Sequence, residues 1–138
     1  MQRPQIITIM AVLAAIGGVL GILGAFSLFA LGAAGGLLAT AGGAAGVGFM
    51  VGGFAVFWGL VTLIQSAASL GFAYGAWFLK PWAWTLGIAI EVASILIALI
   101  NLLGGSSDFF GFLISVVIAG VIIYLLNTPE IKRAFGRA

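Results

Sequence analysis

The chain has no cysteine and no histidine among its 138 residues, and only eight residues are charged. Without cysteine there can be no disulfide, thiol nucleophile or iron–sulfur ligation. Without histidine, imidazole acid–base chemistry and the usual haem axial ligand are gone, and so is ordinary zinc ligation. The three acids, Glu91, Asp108 and Glu130, lie far apart in sequence and are too few for a carboxylate cage around calcium. We therefore expect no metal and no cofactor. Charged residues make up 6% of the chain, against roughly a quarter in a soluble domain. The expectation is an integral membrane protein with no nucleic-acid partner. The glycines form no phosphate-binding GxxxxGK[ST] pattern.

What the chain does have is apolar length. Four runs are long enough to cross roughly 30 Å of hydrocarbon as helices: about 6–31, 54–79, 81–103 and 109–126. A secretory leader is the competing reading of the first, but its apolar region would span only about 7–15 residues. Between the first two runs lies Gly32 to Gly48, GAAGGLLATAGGAAGVG, a low-complexity segment readable as a loop, a re-entrant piece or a loose helix start. Lys80-Pro81 closes one helix and opens the next, since Pro suits a first helical turn. Ser106, Ser107 and Asp108 are candidate N-caps for the fourth helix. Thr128, Pro129 and Glu130 open a short amphipathic tail within 127–138. The fold expected is thus all-α, one membrane domain of four spans.

Topology follows from the cations. With four spans, Arg3, Lys80 and the tail residues Lys132, Arg133 and Arg137 all fall on one side, with Asp108 opposite. The excess of basic residues in cytoplasmic segments then puts both termini and the Lys80 turn in the cytoplasm of a plasma or inner-membrane protein. The tail is expected on the membrane surface, with Ile131 and Phe135 toward the acyl boundary and Lys132, Arg133 and Arg137 at lipid headgroups.

Two sets of residues stand out as candidate sites. Glu91 is the only acid inside an apolar run, and a carboxyl at that depth marks a functional-site hypothesis. Gly87, Glu91, Ser94, Ala98 and Asn101 recur at steps of four and three, one helix face, with Gln65 and Ser69 on the second run as companions. The remaining face of the third run, including Leu86, Ile88 and Ile90, is left mostly for lipid or tight packing. Gly17, Gly21 and Gly24, Gly71 and Gly75, and Gly111 with Ser115 form small-residue faces that let backbones approach.

The Arg3-Pro4 opening, the central GAWFLKPWA (Gly75 to Ala83) and the closing YLLNTPEIKRAFG (Tyr124 to Gly136) resemble a broad group of small, uncharacterised four-helix membrane proteins of bacteria and archaea. That group carries no assigned activity, so the resemblance transfers no functional residue. From the residues, the expectation is a structural or accessory subunit of a membrane complex, self-assembling or bound to a larger partner. The alternative is a small transporter or channel for protons, cations or a solute beside Glu91. Enzymatic acid–base work is not expected, because it needs two groups of separated pKa and the spans hold one acid.

Overall fold

A computed structural model describes residues 3–105 and 107–137. The described chain is all helical: α1 Gln5–Ala41, α2 Ala45–Trp77, α3 Pro81–Leu103, α4 Phe109–Leu126 and α5 Pro129–Ala134. Helices α1 to α4 are each long and apolar enough to cross a membrane. The Gly/Ala-rich segment is helical on both sides of a turn at 42–44, so α1 reaches 37 residues and α2 33. At 1.5 Å per residue α1 has about 55 Å of contour, more than an upright crossing needs.

Local chemistry sets the ends. At the α1–α2 turn Gly43 has φ +85°, and the Ala44 amide donates to the Ala39 carbonyl at 2.9 Å. That is a left-handed helix stop for which glycine carries no Cβ penalty. Leu79 makes the same stop after α2 without that freedom, at φ 53°. Its Lys80 neighbour donates to the Gly75 carbonyl at 2.8 Å, and Pro81 takes the first turn of α3. Asp108 caps α4 by accepting from the Gly111 amide at 3.1 Å. Ser106, another candidate cap, lies outside the described residues.

Contacts divide the chain into two compact units, Met1–Ala14 with Gly71–Ala138, and Ala15–Leu70. The second is an α1–α2 hairpin built on small residues. Gly18, Ala25 and Gly32 are buried at seven-residue intervals on α1. On α2 the partners are Gly48, Gly52, Ala55, Gly59 and Ser66. A Cβ added at Gly21 would strike Ser66, at Gly32 the Ala55 methyl, at Gly48 the Gly36 carbonyl, and at Gly59 the Phe29 ring. For helices in lipid, which is as apolar as leucine, close backbone approach of this kind takes the place of the hydrophobic effect as the packing force. This also answers the helix cost of so many glycines.

In the other unit α3 packs along α4. The core comprises Ile7, Ala11, Phe72, Ala76, Ala83, Leu126, Ile131 and Phe135. Gly87 makes room for Phe72 and Leu126, and Gly75 for Ala83 and Trp82. Leu86, Ile88 and Ile90 pack against this core, the second of the two places, lipid or tight packing, that the sequence pattern leaves for them. The tail departs from expectation. Ile131 and Phe135 are 2% and 1% exposed, inside the protein core. Their four-residue spacing makes one apolar face, and the turn at Asn127–Thr128 delivers that face to protein.

Candidate functional site

The basic residues of the tail meet the start of α3. Gly136, at φ +68°, ends α5 and carries Arg137 back toward α3. The Arg137 Nη2 donates to Thr85 Oγ1 at 2.7 Å, and its Nε to the Pro81 carbonyl at 3.3 Å. Both Arg137 and Lys132 sit over the Trp84 ring, at 5.6 and 5.7 Å from its centre. The Trp84 indole N–H donates to the Leu126 carbonyl at 2.7 Å, satisfying an acceptor at the end of α4 that the helix itself leaves unpaired. Arg3 does the same for α2: its Nη1 donates to the Trp77 carbonyl at 2.7 Å, and its guanidinium lies 4.2 Å from the Trp77 ring centre. Trp77 and Trp84 therefore already hold cations of this chain.

Arg133 is placed differently from its neighbours. It lines an open recess of about 590 Å³ together with Pro4, Leu79, Thr128, Pro129, Glu130 and Ala134. Of the three tail cations assigned from sequence to headgroups, Lys132 and Arg137 are turned onto Trp84, and Arg133 faces the recess. The N-terminal segment, the α2–α3 turn and α5 meet at this end of the unit.

The polar seam is distributed over both units. Glu91, Ser94, Ala98 and Asn101 are half-buried and Gly87 is buried, all on α3. Glu91 forms no side-chain hydrogen bond with another described residue. Gln65 and Ser69, also half-buried, belong to the hairpin unit.

The glycine positions sort sharply. Gly21 lies against Ser66, Gly75 against Ala83 and Gly71 near Leu86, whereas Gly17 and Gly24 have nothing within 4 Å. Gly111 abuts its own cap, Asp108, and Ser115 donates back to the Gly111 carbonyl at 3.0 Å. Sequence reasoning passed over Ser66, the one buried polar residue in the described chain. It also passed over Gly18, whose added Cβ would meet Leu70. The signal was present: Gly48, Gly52, Ala55, Gly59, Thr62 and Ser66 follow steps of four and three along α2.

No protein-family model, curated protein or solved structure matches this chain.

Proposed function

We propose that this chain is a small multi-pass protein of the plasma or inner membrane, a structural or accessory subunit that self-assembles or joins a larger membrane complex. Both termini and the Lys80 turn are cytoplasmic in this reading, because every basic residue belongs to that end. The observation that carries the assembly role is the pair Gly17 and Gly24. They lie seven residues apart on α1 with open space where a Cβ would be, while the internal hairpin seam uses Gly18, Gly21 and Gly32 instead. Small open positions on a lipid-facing helix admit a second helix backbone closely. The test is crosslinking in bilayers followed by native purification. Gly17→Leu with Gly24→Leu should abolish the oligomer or the co-purified partner while the inserted fold survives. An unchanged assembly in that double variant refutes the role of this face.

A second reading rests on Glu91, a half-buried carboxyl in mid-helix without a hydrogen bond among the described residues. On this reading it lines a path for protons or cations. Flux into liposomes that is lost in Glu91→Gln at unchanged stability would favour conduction, and absence of flux in the wild type would dismiss it.

A further inference from the structure

The recess beside α5 contains two opposite charges that do not use each other. Glu130 and Arg133 both line it, both are exposed, and neither has an ion-pair partner or side-chain hydrogen bond among the described residues. The other cations nearby are committed or adjacent: Arg3 is held on the Trp77 carbonyl and ring, and Lys80 follows the recess residue Leu79. The walls supplied by Pro4, Leu79, Pro129 and Ala134 are apolar. Thr128 spends its hydroxyl proton on the Leu125 carbonyl at 2.6 Å, so its oxygen can only accept within the recess. The volume, about 590 Å³, is that of a small-ligand site.

A simple anion fits such a site poorly, because Glu130 would repel it. A simple cation meets Arg133 in the same way. A ligand bearing both charges a few bonds apart satisfies both side chains at once. Phosphate oxygens suit the planar fork of an arginine, and a primary ammonium offers three N–H donors to acceptors such as the Glu130 carboxylate and Thr128 Oγ1. We propose that this recess binds a phosphoethanolamine group, phosphate on Arg133 and ammonium on Glu130. The inference rests on the membrane reading above, which brings this end of the unit to headgroup depth. A choline group carries the same charge, but its three methyls remove every N–H donor, so it meets Glu130 and Thr128 with charge alone. A glycerol headgroup leaves Glu130 facing a phosphate with nothing between them.

The test uses the full chain in phosphatidylcholine nanodiscs doped equally with phosphatidylethanolamine and phosphatidylglycerol, with native mass spectrometry of the lipids retained. Flotation with liposomes first establishes insertion, so a chain that fails to float overturns the membrane reading itself. For an inserted chain, ethanolamine adducts should exceed glycerol adducts by about tenfold, the scale of one charge-assisted pair. Glu130→Gln should collapse that ratio toward one, and Arg133→Gln should lower both adducts. Lys132→Gln, whose cation sits on Trp84, should leave the ratio unchanged. Displacement by soluble glycerophosphoethanolamine would mark the headgroup alone as sufficient, and resistance to it would mark the lipid with its chains as the ligand. Equal retention of the two lipids by the wild type, or a ratio that survives Glu130→Gln, overturns the proposal.

Discussion

Replacing Phe135 with alanine tests the most consequential departure from the sequence pattern, the burial of α5 in protein rather than lipid. The side chain is 1% exposed and is among the largest fully buried ones. Truncating a core phenylalanine costs about 3–5 kcal/mol when the surroundings cannot collapse. Here the loss falls on docking before it falls on the spans. Helix α5 has six residues, far below the length at which a helix is stable alone, so it holds its shape only while Ile131 and Phe135 are seated. A docking loss of that size corresponds to about two to three and a half decades in the open population, at 1.4 kcal/mol per decade. The assay is amide exchange over 127–137 together with trypsin cleavage after Lys132 and Arg133, in uncharged detergent and in anionic bilayers. Phe135→Ala should speed both by a hundredfold or more in either medium, while exchange within α3 and α4 is unchanged. Protection that exists only in anionic bilayers, or that is indifferent to Phe135→Ala, would show that the tail is held by lipid and refute core docking.

Trp84→Phe keeps most of the ring but removes the indole N–H from the Leu126 carbonyl, and should destabilise by about 1–2 kcal/mol in a thermal melt in detergent. Gly48→Leu should wedge the hairpin at the Gly36 carbonyl, whereas Gly53→Leu, a position with open space around it, should not. A disulfide introduced across α1 and α2 in this cysteine-free chain reads the difference by its rate of formation. Cysteines placed at Lys80 and Arg133 should be labelled from the cytoplasmic side only, and labelling of either from outside refutes the four-span orientation. Glu91→Gln should leave thermal stability unchanged in detergent, since an amide matches the shape of the acid, and a clear loss would mean that the carboxyl has a partner it needs in its acid form.

The number of apolar helices was legible because length and composition suffice for it. Several ends were legible too: Lys80-Pro81 opens α3 and Asp108 opens α4, each through a side chain or ring with one favoured place at a helix start. The facing of α1 was not legible in the same way. Its residues are apolar all round, so no polar side marks the outside, and Gly17 and Gly18 look equivalent in the sequence. The structure separates them because the seam repeats every seven residues, through Gly18, Ala25 and Gly32. A four-residue spacing alone selects Gly17 with Gly21, one position out of step. The long continuous helix across Gly32–Ala41 was hidden for another reason. Glycine's intrinsic cost argues against helix, and only the partner segment Gly48–Ala55, with its own small residues, supplies the packing that overrides it. The tail was misread because Ile131 and Phe135 make the same apolar face whether it meets acyl chains or a core.

Several of the described polar side chains bond within their own helix. Ser27, Thr40, Ser66, Ser115 and Asn127 each donate to a carbonyl four residues back on their own helix, so none of these bonds selects a neighbouring helix. Two other devices set register between helices. In the hairpin it is shape: a Cβ added at Gly48 would strike the Gly36 carbonyl, at Gly21 the Ser66 side chain, at Gly18 Leu70 and at Gly59 the Phe29 ring, so each of these glycines fits only the neighbour it has. In the other unit it is the end where Arg3 and Trp84 reach the Trp77 and Leu126 carbonyls, which the C-terminal ends of α2 and α4 leave unpaired, and Arg137 reaches the Pro81 carbonyl and the Thr85 hydroxyl at the start of α3. The Arg3 charge is useful there because the last carbonyls of α2 have no partner within the helix, whereas the helical backbone within the apolar runs needs none. Glu91 is the exception to this division. It is a charged residue type within a span, without a hydrogen bond among the described residues, and so the position whose substitution best separates a packing role from a conducting one.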